Sequence, residues 1–215
     1  MVPGLTVVMA VKQLDRAKSR LAHAGDRRAL VLAMFEDTLD AVAAADVPRI
    51  VVVSPDPLIL DRAGTRGAVA RRELDRPGAG LNAALRHGAA QARDDVLYLQ
   101  ADLPALRSES LVAAIKAAQA HPASFVADRH RTGTALVYVA RGTRFTPAFG
   151  PDSADAHRLA GAVELDPAQT RWPDLRCDVD TAVDLAACLR LGVGRRTSAV
   201  TQAAHADDGR RDRVR

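Results

Sequence analysis

Leu5-Thr-Val-Val-Met-Ala10 is a short apolar run that opens directly into Val11-Lys12-Gln13-Leu14-Asp15-Arg16-Ala17-Lys18-Ser19-Arg20-Leu21. A run of this length, rich in β-branched residues, reads as a buried strand. A strand that ends in a loop carrying Lys12, Lys18 and Arg20 places cations where open α/β sheets bind their ligands, beyond the carboxyl ends of the strands. The lysines stand out because only three of the thirty Lys and Arg side chains are lysine. Lysine gives phosphate a mobile point charge, whereas arginine offers a rigid fork. The same residues also fit the start of a solvated amphipathic helix with Leu14, Ala17 and Leu21 turned inward. The segment by itself does not separate the two readings.

Outward from this strand, helical and extended patterns alternate. Leu30, Met34, Leu39 and Val42 fall on one face of a helix spanning Asp26 to Ala45. Arg49-Ile-Val-Val-Val-Ser54 is a second buried strand, followed by a short helix over 56–63 and a weak strand over 68–71. A loop ending in Gly78-Ala-Gly80 leads to a helix over 81–92 and a strand over 96–100. Ser108 is expected to cap a helix running to about residue 120, with Glu109 favourably placed in its first turn. Residues 124–127 and 135–140 read as consecutive strands, 161–165 and 175–177 as short strands, and 181–191 as the last helix. Strand–helix alternation in the first half implies parallel pairing, and consecutive strands in the second half imply a mixed sheet. The fold class is therefore α/β, a single domain over 1–194.

Composition narrows the function. Hydrophobic residues make up 48% of the chain but aromatics only 3%, so the core is built from Ala, Val and Leu. Residues 195–215 hold six arginines against three aspartates and carry +3 of the net +4, without apolar periodicity. They are expected to form an Arg-rich disordered tail. Nucleic-acid binding would need a basic face with stacking aromatics on the folded part, and neither is visible. Cys177 and Cys188 have no metal-type spacing and read as buried reduced thiols. The apolar stretch before Lys12 is too short to span a membrane, so a cytoplasmic protein with no membrane partner is expected.

Several clusters carry chemistry. Asp102 in Gln100-Ala-Asp102-Leu-Pro104 follows an apolar strand, where magnesium could take one or two carboxylates and complete its shell with phosphate and water. A turn before Pro104 explains the same residues. In Arg176-Cys-Asp178-Val-Asp180-Thr181, alternation puts Asp178 and Asp180 on one side if the strand continues, where two carboxylates could converge with Asp102. Asp180 with Thr181 and Asp184 also makes a plain helix N-terminus, which leaves Asp178 as the better metal ligand. Thr132-Gly-Thr134 and Phe149-Gly150-Pro-Asp-Ser153 fit an anion-binding nest followed by a helix start, and equally a turn with an N-cap. Gly78-Ala-Gly80-Leu-Asn82-Ala83 has the letters of a dinucleotide fingerprint but no strong strand before it. Asn82 still sits where an amide could read a base edge. No Ser/His/Asp arrangement appears. A phosphate nucleophile, with a second pKa near ~6, would need no general base.

In this order, the segments Lys12–Leu21, Gly80-Leu-Asn82, Asp102-Leu-Pro104, Phe125–Arg129, Thr132–Thr134, Phe149–Ser153 and Arg176–Thr181 resemble the guanylyltransferases of deazaflavin coenzyme F-420 biosynthesis, acting on phosphoenolpyruvate or 2-phospho-L-lactate. The resemblance covers nearly residues 4–194. It implies a three-layer nucleotidyltransferase-like fold, of the nucleotide-diphospho-sugar transferase kind, with a mainly parallel sheet. It further implies GTP as donor, Mg2+ as cofactor and a three-carbon phosphoacid as acceptor, with phosphoenolpyruvate favoured by the Arg/Ala-rich composition. Carried over, Asp102 and Asp178 hold the metal, and Thr134, Gly150 and Ser153 the acceptor. Lys12, Lys18 and Arg20 act on the triphosphate as catalytic residues, while Gly80 and Asn82 lie near the nucleotide. Ala10-Val-Lys12 lacks the proline that often precedes this lysine. A sugar-phosphate, cytidylyl or molybdopterin transfer, a 3-phosphoglycerate acceptor and a non-catalytic nucleotide-binding role are the competing readings. A product hand-off to a downstream transferase is a further expectation.

Overall fold

The computed structural model describes residues 4–16, 26–74 and 80–211, with side chains to residue 204 in the last helix. In chain order the elements are β1 (Leu5–Ala10), α1 (Arg27–Ala44), β2 (Arg49–Ser54), α2 (Pro57–Gly64), β3 (Val69–Arg72), α3 (Leu81–Ala89) and β4 (Asp95–Leu99). They continue with α4 (Ser108–Ala118), β5 (Ala123–Ala127), β6 (Thr134–Val139), α5 (Ser153–Leu159), β7 (Val163–Glu164), α6 (Ala182–Leu191) and α7 (Arg195–Arg211). The strands form one sheet in the order β3-β2-β1-β4-β6-β5-β7. All neighbours pair in parallel except β6, which is antiparallel to both β4 and β5.

Both faces of the sheet are covered, and strand alternation explains how. Val7 and Met9 of β1, Ile50 and Val52 of β2, and Leu97 and Leu99 of β4 join one apolar cluster with Leu30, Met34 and Leu39 of α1. Their neighbours Val8, Val51, Val53 and Tyr98 face the other way, into a second cluster with Ala84 and Leu85 of α3. Strands buried on both faces need unbroken apolar runs, which is why β1 and β2 were plain in the sequence. Each fully buried side chain of this size contributes about 1.5–3 kcal/mol of burial energy.

The expected tail is corrected. Arg195–Arg211 is a helix, packed along α1. Asp37 of α1 accepts the backbone N–H groups of Arg196 (3.2 Å) and Thr197 (2.8 Å), capping the first turn of α7 from another helix. Arg196 pairs with Glu36 at 3.1 Å and also with Asp40, and Thr197 is fully buried. Composition could not reveal this, because the partners lie on α1, about 160 residues away in sequence. It also explains why α1 is buried nearly all round, down to Glu36 and Asp37: the sheet covers one side and α7 another.

Three smaller expectations change as well. Ser108 is the first residue of α4 and not its cap; Asp174 accepts the Arg107 N–H (2.9 Å) and the Ser110 hydroxyl (2.9 Å) in that role. The strand expected over 161–165 shortens to Val163–Glu164. Residues 175–177 form no strand. A single buried guanidinium holds that segment instead, because Arg176 donates to the carbonyls of Ala127 (2.7 Å) and Asp166 (2.9 Å) and to the Asp166 carboxylate (3.1 Å).

Candidate active site

The order of strand addition reverses beside β1, since β2 and β3 lie on one side of it and β4 on the other. Crevices form at such a switch point, beyond the carboxyl ends of the two strands. Here a cavity of about 630 Å³ opens, with Lys12 at the exit of β1 and Gln100, Ala101 and Asp102 at the exit of β4. Because β6 runs antiparallel, it is its start that reaches the same rim: the Gln100 N–H donates to Ala135 O at 2.9 Å, which sets Thr134 beside the exit of β4. Thr132, Gly133, Thr134, Gly150 and Ser153 complete that wall, and Asp178 and Asp180 stand on it too.

The loop carrying Asp102 is fixed on both sides. Val179 N–H donates to the Asp102 carbonyl at 3.3 Å, bringing Asp178 next to Asp102. Leu103 N–H donates to Thr38 Oγ1 at 3.0 Å, while the Thr38 hydroxyl donates to Met34 O at 2.8 Å. Thr38 is completely buried in the middle of α1, and its hydroxyl serves to hold the Asp102 turn. Thr38→Val keeps the shape and leaves the buried Leu103 amide unpartnered, which costs about 1–3 kcal/mol. Thermal unfolding should show that loss together with a fall in turnover; unchanged stability would remove Thr38 from this role. Hydrogen bonding to Cys177, burial and the charges of Asp178 and Asp102 together push the Cys188 thiol far up, so it stays protonated. Both cysteines are buried and free, as expected.

A carboxylate at the far side ties two loops together. Asp184 accepts from Arg129 (2.6 Å), from His130 (2.9 Å) and from the Thr181 hydroxyl (2.7 Å) and N–H (2.8 Å). Burial raises its pKa, but these hydrogen bonds outweigh it and hold the carboxyl well below the usual range. Asp184 thereby ties the 128–134 loop to the start of α6. Within the first loop Asp128 accepts the Thr132 N–H at 3.2 Å and lines the cavity. A Cβ on Gly133 would lie 2.4 Å from Asp128 Oδ2, so a side chain there would have to displace the carboxylate that accepts the Thr132 N–H.

Part of the cavity lining is hydroxyl-rich. Ser153 Oγ lies 3.1 Å from Thr134 Oγ1, and Thr134 Oγ1 lies 3.0 Å from His157 Nδ1. His157 sits among Phe125, Phe145 and Phe149, and burial lowers its pKa to about 4, so it is neutral at pH 7. Gly150 has φ 143°, a conformation side chains rarely adopt, and precedes the turn into α5.

The sequence-derived residues thus divide. Lys12, Asp102, Thr134, Gly150, Ser153 and Asp178 line one cavity. Lys18 and Arg20 lie outside the described residues. Gly80 is the N-cap of α3 and does not line the cavity, whereas the next residue, Leu81, does. Asn82, expected at a base edge, is corrected: its amide donates to Phe149 O and accepts from Phe149 N–H, both at 2.8 Å. It pins the peptide just before Gly150. Thr38, Asp128, His157 and Asp184 belong to the site or its supports and were not foreseen as such.

Residues 13–167 match the family model described as the MobA-like NTP transferase domain. A phosphoenolpyruvate guanylyltransferase of Streptomyces scabiei is 50% identical over 205 residues, covering 90% of this chain and 94% of that protein. One from Mycobacterium sp. (strain KMS) is 48% identical over 206 residues, 91% of this chain and 90% of the relative. The chain belongs to the phosphoenolpyruvate guanylyltransferase family. The fold agrees, since a nucleotidyl transferase from Methanothermobacter superposes with a TM-score of 0.65 over 88% of this chain and 99% of that one, at 18% identity. Asp178 and Asp180 lie beyond the residues matched by the general domain model, within the stretch shared with the guanylyltransferase relatives. Among the described residues no helix is long and apolar enough to cross a membrane.

Proposed function

We propose that this chain transfers GMP from GTP to the phosphate of phosphoenolpyruvate, giving enolpyruvyl-diphospho-guanosine and pyrophosphate, as a cytoplasmic step in coenzyme F-420 formation. The observation that carries the reading is that one cavity is lined together by the carboxylates Asp102 and Asp178, the hydroxyl residues Thr134 and Ser153, and Lys12. The family's name supplies the nucleotide and acceptor.

The donor set fits magnesium. Among the described residues no three His, Cys, Asp or Glu side chains group tightly enough to enclose a metal. Two carboxylates facing a phosphate pocket match an ion that takes its remaining oxygens from substrate and water. Asp102 and Asp178 would hold it, with Asp180 on the same wall. Bound there, magnesium would offset the charge developing on the α-phosphate and the leaving pyrophosphate.

The protein's own part is placement. Thr134, Ser153 and the Gly150 turn orient the acceptor, whose ionised phosphate oxygen attacks the α-phosphorus without a general base. The new P–O–P bond forms as the bond from the α-phosphorus to the bridging oxygen breaks, and the electron pair leaves with pyrophosphate. Lys12, and Lys18 and Arg20 in the segment that follows, balance the triphosphate charge. At the start of α3, Asn82 holds the Phe149 backbone and so supports the acceptor wall at Gly150. A downstream transferase would receive the product.

Ser153→Ala removes one hydroxyl from the acceptor wall. The KM for phosphoenolpyruvate should rise about tenfold, the loss of one hydrogen bond to a charged group, with the KM for GTP nearly unchanged. Pyrophosphate release, measured with either substrate varied, reads this directly. The reverse pattern would assign the wall to the nucleotide. The same assay with 2-phospholactate, 3-phosphoglycerate, a sugar phosphate or molybdopterin separates the competing acceptors.

A further inference from the structure

The anion-facing hydroxyls belong to a hydrogen-bonded chain whose direction is set at its far end. The Ala148 N–H can only donate, and it points at His157 Nε2 at 2.9 Å. Nε2 must therefore offer its lone pair, so the neutral ring carries its proton on Nδ1. Nδ1–H then donates to Thr134 Oγ1 at 3.0 Å. With that lone pair occupied, the Thr134 hydrogen cannot point back at the ring. Thr134 Oγ1 and Ser153 Oγ are 3.1 Å apart, and one donates to the other. Whichever does so, one O–H of the pair remains directed at the cavity that both residues line. The opposite tautomer would reverse the chain. Thr134 would donate to Nδ1, and the one remaining hydrogen, on Ser153, could serve Thr134 or an anion in the cavity but not both, so binding would cost the Ser153–Thr134 hydrogen bond.

The geometry points to His157 as a positioning residue that orients the Thr134–Ser153 hydroxyl pair so that it donates to the anionic group of the acceptor. This rests on the proposed assignment of that wall to the acceptor. The surroundings suit the task. His157 is completely buried, and Phe125, Phe145 and Phe149 have ring centroids 5.6, 5.9 and 5.6 Å from its own. An apolar box of this kind disfavours the imidazolium, which would place a second proton against the Ala148 amide. Asn82 holds the Phe149 peptide next to Ala148 and so fixes the donor that sets the tautomer. The chain thus runs from a backbone amide through a ring and two hydroxyls to the ligand, and His157 itself touches no substrate.

Two variants and one spectrum test this. His157→Phe keeps the ring and the apolar packing but removes the donor to Thr134. His157→Gln supplies a donor and an acceptor about as far apart as the two ring nitrogens. The KM for phosphoenolpyruvate should rise about tenfold in His157→Phe and return to within about threefold of wild type in His157→Gln, while the KM for GTP and kcat stay within about threefold in both. A purely structural histidine would give the opposite order, with the better-packed Phe variant binding normally. Equal changes in both KM values, or a Gln variant no better than Phe, would overturn the inference. Nitrogen-15 NMR of the wild-type imidazole is independent of any variant's folding: it should show Nδ1 protonated and Nε2 bare. Protonation at Nε2 would overturn the assignment. If wild-type protein releases no pyrophosphate with GTP and phosphoenolpyruvate but does so with another acceptor, the proposed function fails. The same KM comparison then applies to that acceptor, and its outcome still decides for or against His157.

Discussion

Asp102→Asn and Asp178→Asn should each lower turnover by about 10³-fold while the protein stays folded. Each substitution removes a formal charge and one oxygen donor at equal size, from a site whose metal has few protein ligands to lose. A loss of about 4 kcal/mol of transition-state stabilisation corresponds to that factor. The stability result distinguishes this from a structural role. Because asparagine matches aspartate in size and shape, either Asn variant should melt near the wild-type temperature. Added magnesium and GTP should raise the wild-type melting temperature and leave the variants' nearly unmoved. Near-normal turnover in both variants, with magnesium still required, would place the metal elsewhere.

Arg176→Leu should be the most destabilising single change outside the cavity. The Arg176 side chain is 2% exposed and its guanidinium donates to four carbonyls, Ala127 O, Leu165 O, Asp166 O and Arg171 O, as well as to the Asp166 carboxylate. Burial lowers the Arg176 pKa, and the Asp166 partner works against that, so the ion pair survives only through these hydrogen bonds. Leucine fills part of the volume and leaves the acceptors and Asp166 without their donor. The cost should be about 3–5 kcal/mol, which for a chain of this size lowers the melting temperature by about 10 °C. A change of less than about 3 °C would mean that water replaces the guanidinium without penalty. Because Arg129 N–H donates to Arg176 O at 2.9 Å, the loop that holds Asp184 should loosen with it, and activity should fall faster than stability on warming.

Strand positions were legible because burial on both faces leaves an unbroken apolar signature in β1, β2 and β4. Asp102 was legible as a cavity residue for a related reason, since it stands shortly after such a run, at the strand end where open α/β sheets form their crevice. What the sequence hid was everything decided by a distant partner. Thr38 lies between Asp37 and Leu39 and reads as ordinary helix, until the Leu103 amide arrives from β4's loop. His157 follows Ala156 in a short helix rich in charged residues, and nothing local says that three phenylalanines enclose it. Residues 195–204 looked like a polar tail by composition, yet Asp37 caps their helix and Glu36 and Asp40 neutralise Arg196. Asn82 was legible as a functional amide but not in its target, because Phe149 is 67 residues away. In each case the local letters were compatible with two structures, and a long-range hydrogen bond chose between them.

The most direct measurement is to incubate the protein with GTP, magnesium and phosphoenolpyruvate and to determine the mass of the diphospho product. The account predicts enolpyruvyl-diphospho-guanosine with one pyrophosphate released per product, and no such product from Asp102→Asn or Asp178→Asn. A guanylyl product only with a different acceptor, or GTP consumed without any P–O–P-linked product, would contradict it.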